Sequence, residues 1–598
     1  MTDTTQKKRH VRDQVLAVDL TTGTVEREPV PEPWRRRYLG GKGIGARYLY
    51  ERLDAGTDPL GPANLLAFVV GPLSGYLPGE QRYAVVTKSP LTGGFLDSYS
   101  GGGFAEALCG ALADCLGVLV TGRADRPVRL VLEDGSGRIE PTDSWGADTV
   151  ETAEGVEGAV ACVGPAGEAG VRYATVAADG GEHHAGRGGA GAVMGAKRLK
   201  SVVARGRSPE PGPALDDLGE RYRRTYADHD AGTWQAAGGT VESVDFANAV
   251  GALATDGWQR RSFEGIEGVG VEAASDAADG RESGIVPGDF RFETDDGDVV
   301  VRGAAPMSLG AGLGIDDIEA VADLAGVCDR LGIDVIDAAS AVAWTMRATE
   351  GGLVECPVAF GDAEGAAALI EAVVTGEGRV ARTATPGLLP ALARGVDAAS
   401  ERFGGAAFVP TVKSMALPSY DPRGSPGMAL AYATSDRGAC HRRARPVERE
   451  ALDGRWSVAD RVRTVVGEQT IRSVLWSLII DDFVGETMWE DLGREFLGAV
   501  GRSYTTAELA RVGERIWTLT RLFNAREGFD RGDDSLPATL ARATDDGERV
   551  DPAAFEVTLD AYYRARGWGP NGLPTRETVE RLDLAAVVDD ETPLGDPW

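Results

Sequence analysis

SPEPGPA, residues 208–214, separates two kinds of sequence in this chain. Proline fixes φ and donates no hydrogen bond, so three prolines and a glycine in seven residues read as a linker. Before it, short β-like runs alternate with glycine-rich turns: VLAVDL (15–20), LLAFVVG (65–71), YAVVTKS (83–89), GVLVTG (117–122), VRLVLED (128–134), VRYATVA (171–177) and SVVARG (201–206). After it, apolar residues recur at helical spacing over 218–228, 315–331, 335–349, 363–374 and 388–402. Residues 264–298, rich in Gly, Asp and Glu, read as loop. The expectation is an α+β protein, with a β-rich N-terminal domain over 1–210 and a mostly helical body beyond. At 598 residues the chain is too long for a single core.

Composition sets further bounds. Asp plus Glu number 92 against 62 Lys plus Arg, a formal net charge of -30. Such a surface repels nucleic acid and anionic membranes. Lysine is confined to Lys7, Lys8, Lys42, Lys88, Lys197, Lys200 and Lys413, so arginine carries nearly all the positive charge. An acidic, lysine-poor chain suits a cytoplasm of molar salt, where a Debye length of about 3 Å screens self-repulsion. No apolar run approaches the roughly 20 residues that span a bilayer. The first residues, MTDTTQKKRHVRDQ, hold no hydrophobic segment of a secretory signal, and a cytoplasmic location is expected. The six cysteines, Cys109, Cys115, Cys162, Cys328, Cys356 and Cys440, never stand in C-x-x-C spacing and are expected as reduced, buried thiols.

The densest chemical signal is GRGGAGAVMGAKRLK, residues 186–200. Glycines let a backbone approach a ligand, while Arg187 and free amides at a helix start can hold phosphate oxygens. Gly186, Gly188 and Gly191 also satisfy G-x-G-x-x-G. A dinucleotide site would require a strand before this run, a crossover helix after it and an acid about 20 residues on. Glu210 stands near that distance but within the linker. The plainer alternative is a glycine-rich turn that only packs.

Several long segments, in order, resemble the aldehyde ferredoxin oxidoreductase family: YLGGKGIGARYLY (38–50), RYAVVTKSPLTG (82–93), the 186–200 run, YDPRGSPGMALAYATSDRGACH (420–441) and GERIWTLTRLFN (513–524). The resemblance implies a tungsten (or molybdenum) ion held by two pterins, in a chain whose β base carries two helical domains, here 211–410 and 411–598. It implies D-x-x-G motifs whose aspartates recognise the pterins: DRLGID (329–334) supplies Asp329, Gly332 and Asp334, and DFVGET (482–487) supplies Asp482 and Gly485. Alone, such a motif is often a helix end with a glycine cap. Phosphate contacts are implied for Arg82, Ser100, Gly101, Arg187, Gly188, Gly189 and Arg443, with Arg442 beside them and Mg²⁺ bridging the phosphates. Simple pairing with surface carboxylates is the alternative for Arg82 and for Arg423. His441 falls where the family has a histidine beside the metal.

The departures carry equal weight. The family's four [4Fe-4S] cysteines fall at Ser283, Val286, Phe290 and Thr487, none of which offers a thiol, so no cluster is expected. The family's active-site acid falls at about Ala304, ahead of SLGAGLGI (308–315). The E-x-x-H motif that holds a metal between protomers in some of its members falls at Asp323 and Gly326. The expected activity is oxidation of an aldehyde to a carboxylic acid, with electrons passed to a separate ferredoxin or cluster-bearing protein, in a homodimer. A pterin-binding carrier without turnover and a nucleotide-dependent dehydrogenase are the alternatives.

Overall fold

The computed structural model describes residues 12–294, 297–454 and 456–598. The charged start read for a secretory signal, including Lys7 and Lys8, therefore lies outside the described residues, except at its last three positions. Six strands, β1 (Gln14–Asp19), β2 (Thr24–Pro29), β3 (Leu66–Val69), β4 (Tyr83–Lys88), β5 (Phe95–Ser100) and β6 (Cys115–Thr121), make a mixed sheet of order β2-β1-β6-β3-β4-β5. A second sheet, β11-β10-β9-β12-β7-β8, holds β7 (Val128–Glu133), β8 (Ser136–Pro141), β9 (Ala159–Cys162), β10 (Val176–Ala178), β11 (His183–Ala185) and β12 (Leu199–Arg205).

Strand alternation explains how the base is built, because successive side chains point to opposite faces. Leu66, Phe68, Tyr83 and Val85 enter a core shared with Leu130, Leu132, Val202 and Ala204 of the second sheet. Their neighbours Ala67, Val69, Ala84 and Val86 enter another core with Trp476, Ile516, Leu519 and Phe523. The inner strands of the first sheet are thus buried on both faces, and β3 and β4 are buried at every residue, whereas the edge strand β2 is largely exposed.

Two short helices pack on these sheets, α1 (Gly102–Ala111) and α2 (Ala190–Ala196). Beyond the linker come α3 (Pro213–Ala227), α4 (Ile318–Leu331) and α5 (Val335–Glu350), followed by α6 (Val458–Leu478) and α7 (Thr506–Arg526). The 21-residue helices α6 and α7 each begin with a capping box, Ser457 with Asp460 and Thr505 with Glu508. Among the described residues no helix is long and apolar enough to cross a membrane.

Two expectations are corrected. Residues 264–298 are not a loop: they hold a helix, Val271–Ala277, and most of a three-stranded antiparallel sheet of β13 (Gly280–Arg281), β14 (Phe290–Thr294) and β15 (Gly297–Val301); residues 295 and 296 lie outside the described set. The alternation Phe290, Phe292 and the run Val299–Val301 supply its buried side. The stretch 388–402 is two helices, Leu388–Leu392 and Val396–Phe403, because Gly395 adopts φ +107° between them.

Candidate functional site

A cavity of about 1290 Å³ opens where the base meets the helical segments. The end of β5 supplies Ser98 to Gly101, the residues after β11 supply Gly186 and Arg187, and the facing ends of α4 and α5 supply Asp329, Asp334 and Ile336. The segment after residue 436 brings Arg437, His441, Arg442 and Arg445, and the turn after α6 brings Asp481 and Asp482. Of the residues singled out in the sequence, Arg82, Ser100, Gly101, Arg187, Asp329, Asp334, His441, Arg442 and Asp482 line this space, as do Ser283, Val286 and Ala304. Gly188, Gly189, Gly332, Gly485, Arg443, Phe290 and Thr487 are not among its lining residues.

The glycine-rich run divides by task. A Cβ on Gly189 would stand 2.0 Å from the Arg172 carbonyl oxygen, and one on Gly191 2.0 Å from that of Thr175. A Cβ on Gly188 would meet Leu96 at 2.4 Å. These glycines let backbones pack. Gly186 differs: nothing stands closer than 3.8 Å to its Cβ direction, and it faces the cavity. The dinucleotide reading fails on topology. β11 runs antiparallel to β10, β10 to β9 and β9 to β12, so the strands flanking α2 are antiparallel and form no parallel crossover.

The cationic side chains are held by carboxylates, several of them far away in sequence. Arg187 donates from Nε to Asp334 (3.1 Å) and from Nη2 to Asp337 (3.0 Å), with further bonds to the carbonyls of Ala416 and Ala439. Burial opposes its charge, yet Asp334 and Asp337 hold its pKa above the ordinary value. Arg82 pairs with Glu80 (2.9 Å) and Asp481 (3.2 Å). Asp482 accepts from Trp476 Nε1 at 2.6 Å and pairs with Arg442. Burial, Arg82 and Arg437 pull the Arg442 guanidinium down to about 9. Arg443, implied as a phosphate ligand, is instead fully buried in a cluster with Lys42, Asp97 and Asp436. Arg423 pairs with Asp421 in the interior, not at the surface.

The two D-x-x-G motifs differ locally. Gly332 caps α4 in the left-handed conformation (φ +68°), with the Gly332 and Ile333 amides bonded to the Asp329 and Cys328 carbonyls. Asp329 in the last turn thereby faces His184, whose Nε2 lies 3.1 Å from Asp329 Oδ1 and 2.8 Å from the Gly181 carbonyl. Two acceptors at Nε2 place the proton there, so Nδ1 accepts from Thr175 Oγ1. In the second motif the turn is made earlier, by Ile479 at φ +59°, and Gly485 has no positive φ.

His441 lines the cavity between Arg437 and Arg442 in sequence. Burial and the charges of Arg445, Arg442, Arg187 and Arg437 hold its pKa well below the ordinary histidine value, so the ring is neutral at pH 7. Its ring lies 5.7 Å from that of Tyr420, and its buried Nδ1 has no partner. Next to it, the buried Cys440 thiol is drawn down to about 7: burial opposes this, but Arg437, 3.0 Å from Sγ, and Arg443 prevail.

The family profile of the aldehyde ferredoxin oxidoreductase N-terminal domain matches residues 15–206, and that of its domains 2 and 3 matches residues 217–584. The chain belongs to the aldehyde ferredoxin oxidoreductase family. It is 31% identical to the tungsten-containing aldehyde ferredoxin oxidoreductase of Pyrococcus abyssi over 613 residues, covering 96% of this chain and 99% of that one. With its Pyrococcus furiosus counterpart it shares 30% identity, over 95% of this chain and 98% of that one. In fold it is similar to the active-site complex BamBC of benzoyl coenzyme A reductase in complex with 1,5-dienoyl-CoA, with a TM-score of 0.80 at 22% identity, covering 97% of this chain and 98% of that one.

Within this aldehyde ferredoxin oxidoreductase family member, the four positions expected for cluster ligands can be located one by one. Ser283 and Val286 sit on the cavity rim. Phe290 is buried in the core of the helical segments, and Thr487 donates its hydroxyl to the Val484 carbonyl. All six cysteines are buried and free, and none lines the cavity. Sequence reasoning also missed Glu80, His183, Arg302, Arg437 and Tyr420. Arg437 and Tyr420 stood inside the quoted 420–441 segment, and the arginine density of SDRGACHRRAR was the available signal.

Proposed function

We propose that this chain is an oxidoreductase dependent on tungsten (or molybdenum) and two pterins that oxidises an aldehyde to its carboxylic acid. The observation that carries the reading is the convergence of Asp329, Asp482 and a neutral His441 with a free Nδ1 on one cavity. The donor set suits such a cofactor. Asp329 and Asp482 are carboxylates able to accept from an amino-pterin edge, and Gly186, Arg187 and Arg82 offer open backbone and cations for phosphate. Ser100 Oγ and His441 Nδ1 are buried atoms still lacking a partner.

When bound, the cofactor supplies the redox chemistry by which aldehyde and water become carboxylic acid, two protons and two electrons. The protein's share is positioning. Burial and four arginines keep the His441 ring neutral, so it serves as a neutral hydrogen-bonding group and does not hold a proton released at neutral pH. The Tyr420 ring lies 5.7 Å from that of His441, and the surrounding arginines favour an electron-rich carbonyl oxygen beside it. No sulfur donor stands at Ser283, Val286, Phe290 or Thr487, which supports transfer of electrons to an outside acceptor and not through a [4Fe-4S] cluster of this chain. The same loss favours, as second reading, a pterin carrier without turnover.

Metal and pterin analysis of protein expressed with tungstate tests both readings. Wild type should carry the metal and two pterins per chain. Asp329→Asn with Asp482→Asn should lose most of both, because each change removes a charge-assisted acceptor worth about 1.5–3 kcal/mol. Wild-type protein without metal or pterin would refute the proposal, whereas loaded protein that reduces no dye with any aldehyde would leave the carrier.

A further inference from the structure

We propose that His184, held in place by Thr175, is a positioning residue that sets the Asp329 carboxylate for recognition of a pterin ring. The inference rests on the oxidoreductase reading above and adds a residue that neither D-x-x-G motif contains. Asp329 and His184 both line the large cavity, with side chains 23% and 15% exposed.

Asp329 is placed differently from the other aspartates of the two motifs. Asp334 pairs with Arg187 and Asp482 with Arg442, so part of their accepting capacity is already taken up by a cation. Among the described residues no lysine or arginine lies within 4.0 Å of the Asp329 carboxylate oxygens. Asp329 also stands in the last turn of α4, where the helix dipole disfavours negative charge. What meets it there is the Nε2 edge of His184, 3.1 Å from Oδ1. A histidine N–H edge steadies a carboxylate without a guanidinium's two-pronged claim on both oxygens, which leaves acceptor sites for the amino group and ring N–H of a pterin.

The His184 ring is itself fixed at both nitrogens. Nδ1 accepts from Thr175 Oγ1 at 2.7 Å, and Nε2 lies 2.8 Å from the Gly181 carbonyl as well as beside Asp329. Thr175 is 1% exposed. A flip of the ring would lose both bonds at once, so Nε2 stays toward Asp329. Gly181 permits the approach: it adopts φ +101°, and a Cβ on it would stand 3.1 Å from Thr149 Oγ1 and 3.6 Å from Asp329 Cβ.

The backbone of the motif is tied to the same part of the base. Thr149 Oγ1 donates to the Asp329 carbonyl at 2.9 Å, the Thr175 amide to the Gly332 carbonyl at 2.8 Å, and the Asp334 amide to the Tyr173 carbonyl at 3.0 Å. Ala174 and Ile333 form an antiparallel bridge between the last two. Thr175 therefore acts twice: its amide fixes the cap of α4, and its hydroxyl fixes the ring that meets a side chain of the same turn. With the backbone of Asp329 held, the freedom that remains is rotation about its side-chain bonds, and His184 is the group that restrains it.

The test is a double-mutant cycle on the binding of 6-hydroxymethylpterin, followed by its fluorescence, to the full chain produced without tungstate. His184→Ala should weaken binding at least fivefold, and so should Asp329→Ala, with Tm close to that of wild type in each. In the double variant the loss should match that of Asp329→Ala alone to within twofold, because a ring that acts only through the carboxylate has nothing to position once the carboxylate is gone. Thr175→Val keeps the shape of the threonine and removes only its bond to Nδ1. It should weaken binding at least twofold, have no effect in the Asp329→Ala background, and decide the cycle if His184→Ala does not fold. Losses that multiply in the double variants, or full binding by folded His184→Ala or Thr175→Val protein, would overturn the proposal and leave the functional reading standing. Wild-type protein that binds no pterin would overturn both.

Discussion

Asp179 shows how a single side chain claims ground that the sequence offers to a ligand. Its Oδ1 accepts from the Phe104 amide at 2.9 Å at the start of α1, where the Ser100–Gly101 reading expects phosphate. Burial lifts its pKa to about 6 against the opposing Phe104 and Gly103 amides. A carboxyl with a raised folded pKa contributes stability that is complete below the unfolded value near 4 and lost as pH rises through 6. Asp179→Asn should therefore match wild type in thermal stability near pH 4. By pH 7.5 it should be the more stable, on the order of 1 kcal/mol after allowing for partial exposure. Melting scans of both proteins across that range decide it, and parallel curves would refute it. At this scale the sequence disclosed the identity of Arg82, Arg187, Asp329, Asp482 and His441 but not their engagement. Arg187 and Asp334 are 147 positions apart and Arg82 and Asp481 are 399 apart, so no local pattern connects them.

Among elements, the 186–200 segment makes two opposite predictions. Gly191→Ala drives a Cβ to within 2.0 Å of the Thr175 carbonyl and should cost about 1–3 kcal/mol, seen as a lowered Tm with cofactor content per folded chain preserved. Gly186→Ala meets nothing nearer than 3.8 Å, so Tm should hold while pterin and tungsten content fall. Equal behaviour of the two variants would show that the segment has one task and not two. The strand–linker–helix order was legible because alternation and helical spacing are local properties, as in β3, β4, α4 and α5. Residues 264–298 were misread because Gly and Asp in the turns outweighed the alternation of Phe290 and Phe292. The break at Gly395 was hidden because apolar spacing continues across it while the backbone does not.

For the whole molecule, the charge of -30 is distributed with a rule that composition alone does not reveal. The five described lysines, Lys42, Lys88, Lys197, Lys200 and Lys413, have buried side chains that bond carboxylates or carbonyls. Surface cations among the described residues are thus arginines, set among exposed carboxylates. Unscreened repulsion opposes the compact state, so Tm should rise by several degrees between about 0.1 and 2 M KCl as the Debye length shrinks from about 10 Å to under 3 Å. A Tm independent of salt would refute this. The cluster of Lys42 and Asp97 from the base with Asp436 and Arg443 from the C-terminal half has a different consequence, for how the two halves are joined. All four side chains are at most 3% exposed. Parting the two halves would break both pairs that cross between them, Lys42 with Asp436 and Arg443 with Asp97. The cluster therefore ties the base to the C-terminal half, so the two walls of the cavity separate only if both crossing pairs give way together.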